Sequence, residues 1–265
     1  MKHLLILFAF VTSTLAAEPV PPPTPPVDFI DTSFENASPL WYEFAEDGTV
    51  IVNLNYDQER LSPNRAAGHF HFRIQAAKGR KITLELRNLA NVWNSKAGSV
   101  AKEIKQVVIS QDGKNWTPVP TESPEEGRVL VTLEMPGDSL FVARAEPYRV
   151  SDLNRFLDEI KASPLVKVTT IGKTVQGRDL EIIRVGKDDA PNHVFIRARA
   201  HPWEPVGNWV VEGLVRRLLR GDAEAQKCLA LYNVCILPMA NKDGVERGGT
   251  RFNLGGWDLN RKWDK

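Results

Sequence analysis

Around Glu146-Pro147-Tyr148 the hydrophobic pattern changes its period, and that change limits what this chain can fold into. Upstream, short runs alternate apolar and polar residues, the period-2 mark of half-buried strands. Thr49-Val-Ile-Val-Asn-Leu54 is apolar and β-branched, while His69-Phe-His-Phe-Arg-Ile74 and Lys81-Ile-Thr-Leu-Glu-Leu86 alternate strictly. Residues 129–133 and 140–143 follow less cleanly, and Asp47-Gly48, Lys78-Gly79, Asp112-Gly113 and Pro136-Gly137 mark turns between the runs. Residues 107–119 read as a hairpin with Trp116 just past its turn. Short strands at this spacing predict an all-β antiparallel sandwich over residues 29–146. His69 and His71 share one face of their strand and Phe70 and Phe72 the other, which predicts a polar face opposite an aromatic core face.

Downstream the period becomes helical. Leu153, Phe156, Leu157 and Ile160 form an apolar stripe behind Ser151 and Asp152, which can cap a helix that Pro164 ends. Strands are expected at residues 166–170, 180–185 and 194–200, the last a buried one. Pro205 suits the first turn of a helix whose stripe is Val210, Val211, Leu214, Val215, Leu218 and Leu219, with Gly221 as its stop. A further buried strand is expected over residues 231–237. Residues 147–265 therefore read as α/β, helices against a mixed sheet.

The N-terminus reads as a leader. Lys2, the apolar stretch from Leu4 to Val11 and the small residues of Thr14-Leu-Ala-Ala17 match a cleaved secretory signal over residues 1–17. The apolar run is shorter than the about 20 residues of a membrane span. Six prolines between Pro19 and Pro26 make residues 18–28 an extended linker. The expected location is secreted or periplasmic. Without Lys2, 33 basic residues face 33 acidic ones, a balance that favours neither nucleic acid nor an anionic membrane as partner. Cys228 and Cys235 read as small apolar residues rather than as a disulfide.

Chemistry concentrates after the strand at 194–200. In His201-Pro-Trp-Glu204 an imidazole and a carboxylate three residues apart can turn toward one point, as ligands of a zinc that keeps a position open for water. Arg251, Asn260 and Arg261 follow in a polar, glycine-rich stretch beyond Pro238. An arginine there can hold an oxyanion, and an Asn-Arg pair can grip a terminal carboxylate. That set describes an enzyme that trims residues from a peptide C-terminus.

On these residues the chain resembles the zinc carboxypeptidases of the carboxypeptidase A type, within them the branch that includes the cytosolic carboxypeptidases. The resemblance rests on His201-Pro-Trp-Glu204, on Pro238-Met-Ala-Asn-Lys-Asp-Gly-Val245, and on Gly249-Thr-Arg-Phe-Asn-Leu254 joined to Asp258-Leu-Asn-Arg261. One H-x-x-E is a weak signal; four elements in this order are a strong one. The resemblance implies zinc as cofactor, His201 and Glu204 as its first ligands, and Arg251 as the residue that polarises the scissile carbonyl. It further implies Asn260 and Arg261 on the substrate's carboxylate, and a β-sandwich ahead of the catalytic domain. Asp258 is read as supporting its loop.

The family also uses a second histidine ligand and a glutamate base further along, and no histidine follows His201. The expectation is a catalytic domain truncated within this chain and inactive in this form. Trp203 and Lys242 stand where the relatives usually carry glycine and proline, so the rim of the site and the turn at Lys242 are expected to differ. Two other readings compete: an exported glycan- or peptide-binding protein without turnover, and a carboxypeptidase acting on cell-wall peptides.

Overall fold

A computed structural model describes residues 24–125 and 127–263. The expected leader, most of the proline-rich linker and the last two residues lie outside the described residues. In chain order the N-terminal half contains β1 (Phe29–Asp31), β2 (Leu40–Phe44), β3 (Val50–Leu54), β4 (Asp57–Gln58), β5 (Arg65–Ala66), β6 (His71–Gln75) and β7 (Lys81–Arg87). It continues with β8 (Ala90–Trp93), β9 (Lys96–Ser99), β10 (Gln106–Ser110), β11 (Thr117–Pro120), β12 (Val129–Glu134) and β13 (Ser139–Ala143). Two sheets, β1-β6-β13-β10-β11 and β12-β7-β3-β2, face each other as a sandwich. Phe70, Phe72, Ile74, Leu84, Leu86 and Val142 have no exposed surface and fill the space between them. A smaller sheet, β4-β5-β8-β9, stands apart from these two.

Three features depart from the sequence reading. The sandwich is not wholly antiparallel: β3 and β7 run parallel, because the chain leaves this sheet after β3 and re-enters it from the opposite end. The histidine face is not solvated. Residues 33–38 cross it, with the Ser38 amide donating to the His71 carbonyl at 2.9 Å. The rings of Phe34, Trp116 and Phe141 close over His71, with centroids 5.0, 5.6 and 6.1 Å away. The third departure is the small sheet, whose strands of two to four residues are too short to show a period.

The C-terminal half runs α1 (Val150–Ile160), β14 (Val166–Lys173), β15 (Asp179–Val185), β16 (Asn192–Arg197), α2 (Val206–Leu218), α3 (Ala223–Leu231), β17 (Tyr232–Leu237) and α4 (Lys242–Glu246). Its sheet is ordered β14-β15-β17-β16, antiparallel except for the parallel pair β16 and β17. Leu153, Phe156 and Leu157 of α1 and Val211 and Val215 of α2 bury against Ile183, Val185 and Ile236 of the sheet. At about 25 cal/mol per Å² of apolar surface removed from water, such stripes hold helices that are too short to persist alone.

The start of α1 differs in detail. Arg149, not Ser151 or Asp152, is the N-cap; Asp152 reaches back to accept the Arg149 amide at 2.7 Å, and Glu35 takes the Ser151 amide at 2.8 Å. The strand leading to His201 is also not fully buried. β16 pairs with β17 and, among the described residues, with no other strand, which leaves Phe195 57% exposed. Cys228 and Cys235 are free thiols, each half-buried, with Cys228 packed on the core.

Candidate functional site

His201 and Glu204 occupy the turn between β16 and α2. Its first anchor is Arg199, a non-glycine residue in the left-handed region at φ 56°. The buried Arg199 guanidinium donates through Nε to the Pro202 carbonyl at 2.7 Å and through Nη1 to Asn208 Oδ1 at 3.0 Å. It thereby ties the turn to the first turn of α2. Burial disfavours its charge and brings the group down to about 9, even with the Glu204 carboxylate nearby. The second anchor is Asn241, the N-cap of α4, which accepts from the Gly244 amide at 3.1 Å and donates to the Phe252 carbonyl at 3.2 Å. Asn241 also donates to the Ala200 carbonyl at 3.4 Å, so one side chain joins the turn, α4 and the loop that carries Arg251.

Asp258 is the hub of the site and has no exposed surface. Its Oδ1 faces His201 Nε2 at 3.0 Å and accepts the Asn260 amide at 2.8 Å, while its Oδ2 accepts from Arg251 Nε at 2.8 Å. On the other side of the imidazole, His201 Nδ1 lies 2.9 Å from Glu204 Oε1. His201, Glu204, Arg251 and Asn260 thus converge, although 59 positions separate the first from the last. Burial opposes ionisation of both carboxyls. The Asn260 amide, His201 and Arg251 outweigh it at Asp258, and His201 and Arg251 outweigh it at Glu204, so both lie below their ordinary values.

Asn260 Oδ1 accepts from Arg197 Nη2 at 2.9 Å, which fixes the side-chain amide with its NH₂ turned away from that arginine. Arg261 is exposed and donates to the Asn260 carbonyl at 3.0 Å. The two guanidiniums share one aromatic neighbour: Arg251 lies 4.3 Å and Arg261 5.5 Å from the centroid of the Trp93 ring. Arg251, Arg261 and Arg197 gather around Asp258, Asn260 and Trp93, and Arg251 is ion-paired with Asp258.

The departures at Trp203 and Lys242 resolve differently from the expectation. The Trp203 indole is not a rim residue. It turns into the joint between the halves, packs on the sandwich core and lies 4.6 Å beneath the Arg144 guanidinium. Gly68 makes room for it, since a Cβ there would come within 2.9 Å of the indole. Lys242 opens α4 and makes a buried ion pair with Glu181 at 2.5 Å.

The donor set suits zinc in part. Asp258 engages Nε2 and orients the ring so that Nδ1 sits beside a carboxylate oxygen, a nitrogen–oxygen pair of the kind zinc takes, with the carboxylate behind histidine that such sites use. Among the described residues no group of three or more His, Cys, Asp and Glu surrounds a common point, so the site offers two donors. Sequence reasoning undervalued Asp258 and missed Arg199, Trp93 and Asp57. A buried arginine in the apolar run 194–200 was the available sign of Arg199; nothing local marks the other two.

Comparison with known proteins points to a family for each half. Residues 153–265 match the family model described as zinc carboxypeptidase, and residues 30–144 the one described as cytosolic carboxypeptidase N-terminal domain. Cytosolic carboxypeptidase 2 of Danio rerio is 30% identical over 156 residues, which cover 52% of this chain and 22% of that protein. Cytosolic carboxypeptidase 6 of Caenorhabditis elegans is 33% identical over 135 residues, 48% of this chain and 29% of that protein. The chain therefore spans less than a third of these two relatives. Among solved structures, a metallo-carboxypeptidase of Pseudomonas aeruginosa aligns with TM-score 0.78 and 29% identity over 89% of this chain and 61% of its own. One from Burkholderia cenocepacia aligns with TM-score 0.77 and 26% identity over the same shares.

Proposed function

We propose, since residues 153–265 belong to the zinc carboxypeptidase family and residues 30–144 are a cytosolic carboxypeptidase N-terminal domain, that this site binds zinc and the C-terminal end of a peptide for removal of its last residue. The observation that carries the reading is the Asp258 hub, which brings the imidazole, the Arg251 guanidinium and the Asn260 loop to one place.

His201 Nδ1 and Glu204 would be two of the zinc's donors. Bound zinc supplies Lewis acidity toward a carbonyl and a water. Arg251 is held through its Nε, so its terminal nitrogens are directed to charge developing on the scissile carbonyl. The amide of Asn260 and the guanidinium of Arg261 donate to the substrate's terminal carboxylate, and the local excess of arginine favours an anion there. Asp258 holds the proton on His201 Nε2 and keeps Nδ1 a donor atom. Export through the leader expected over residues 1–17 belongs to the same proposal; a mature N-terminus close to Glu18 in the natural host would support it, and an intact Met1 would remove it.

The test uses a pool of fluorescein-labelled tripeptides as free acids and the same pool C-terminally amidated. Expected are zinc uptake that His201→Ala abolishes, and binding of the acids that exceeds binding of the amides and is lost in Arg261→Ala. Equal binding of acids and amides would overturn the carboxylate clamp. Undiminished zinc uptake by His201→Ala would overturn the metal assignment.

A further inference from the structure

The loop that carries Arg251 is tied to its own half by the Trp203 amide on the Thr250 carbonyl at 3.2 Å and the Asn241 side chain on the Phe252 carbonyl at 3.2 Å, and it is held from the sandwich side as well. Asp57, on β4, directs Oδ2 at three consecutive backbone amides, those of Thr250, Arg251 and Phe252, at 3.0, 2.6 and 2.9 Å. Three N–H groups on one carboxylate oxygen make a charge-assisted seat that fixes this backbone. A Cβ at Gly249 would be in ordinary contact with Asp57 Oδ2 at 3.6 Å and tight only against the Gly244 carbonyl at 3.3 Å. Two further bonds press the loop to the same side, the His69 amide to Thr250 Oγ1 at 3.3 Å and the Arg60 amide to the Gly256 carbonyl at 2.7 Å.

The side chains are held from that side too. Trp93 closes the β8–β9 hairpin, and the guanidiniums of Arg251 and Arg261 lie 4.3 and 5.5 Å from its centroid. A ring at that distance attracts a cation and limits the rotamers of a long side chain. The Nε bond to Asp258 fixes one edge of the planar Arg251 guanidinium, and the Trp93 ring adds a second point of support for the same plane. The small sheet β4-β5-β8-β9 therefore presents one carboxylate to the backbone around Arg251 and one indole to the guanidiniums of Arg251 and Arg261.

We propose that Asp57 and Trp93 are positioning residues for Arg251 and Arg261, so that the N-terminal half forms one wall of the carboxypeptidase site rather than a separate binding module. The inference rests on the reading of Arg251 as the group at the scissile carbonyl and of Arg261 as part of the clamp on the terminal carboxylate.

The experiment compares Asp57→Ala, Asp57→Asn, Trp93→Ala and Trp93→Phe with Arg251→Ala and Arg261→Ala in the full chain, using the same tripeptide acids and amides. Asp57→Ala and Trp93→Ala should each weaken acid binding about tenfold or more, the scale set by small misplacement of a binding group. Amide binding and zinc uptake should stay within about twofold, and Trp93→Phe should restore most of the loss. Hydrogen exchange reads the seat directly: the amides of residues 250–252 should exchange at least about tenfold faster in Asp57→Ala. Should Asp57→Ala fail to fold, Asp57→Asn, which keeps the volume and removes the charge, carries the same comparison. Loss of acid binding in the two arginine variants but not in the Asp57 and Trp93 variants overturns this inference alone. Unchanged acid binding in Arg251→Ala and Arg261→Ala overturns the underlying reading, and this inference with it.

Discussion

At the scale of single residues, the two buried histidines behave unlike a surface pair. His69 lies just before β6 and His71 opens it, each near an Asn36 oxygen at 3.3 Å, and among the described residues no carboxylate bonds to either ring. Burial holds both neutral, bringing His69 down to about 4 and His71 down to about 3. The unfolded chain takes up these protons near pH 6.5 and the folded chain does not. The stability they permit is therefore complete above that pH and is lost as pH falls toward the folded values, by about 1.4 kcal/mol per pH unit for each histidine. Urea titrations between pH 7 and pH 5 should show this decline. His71→Phe, which keeps the aromatic packing with Phe34 and Trp116, should remove about one proton from the slope. An unaltered slope would mean that His71 is not the group titrating. Sequence alternation placed the two histidines on one face correctly, yet it could not show that residues 33–38 cover that face, because covering is a long-range event.

At the scale of elements, the turn from β16 to α2 and the short helix α4 carry the site. The apolar stripes of α1 and α2 and the alternation in β6 and β7 were legible, since each records burial on one side of a regular element. The two- to four-residue strands and the five-residue α4 were not, because an element of only one or two periods gives no repeat to recognise. Gly248 shows how tightly α4 is joined to the sandwich. It lies at φ 62°, and a Cβ there would fall 2.1 Å from the Ala37 carbonyl oxygen. Gly248→Ala must either break the left-handed backbone or push residues 36–38 away, at a cost of about 2 kcal/mol or more. A lowered urea midpoint with an unchanged m-value would show this; a midpoint within error of the parent would mean that the joint yields freely.

At the scale of the molecule, the boundary near Glu146 separates two kinds of secondary structure but not two independent bodies. Asn36 donates through Nδ2 to the Val245 carbonyl at 2.8 Å, Glu35 receives the Ser151 amide, Asp57 seats residues 250–252, and Trp203 enters the sandwich side. Phe72→Ala, a cavity deep in the sandwich costing about 3–5 kcal/mol, should therefore weaken amide protection in α1 and α2 as well as in β6 and β7. Protection lost only in the N-terminal strands would show that the halves open independently.

By itself the sequence determined the class of each half, the order of many of the longer elements and the identity of His201, Glu204, Arg251, Asn260 and Arg261 as candidates. These follow from local periodicity and from residue chemistry at short spacing. Only the tertiary structure decided that Asp258 joins three of them, that Arg199 and Asn241 brace the turn beneath them, and that Asp57 and Trp93 reach in from 194 and 158 positions before Arg251. Those contacts depend on the distance between atoms in the folded chain, and neither a side chain's type nor its neighbours along the sequence encodes that distance.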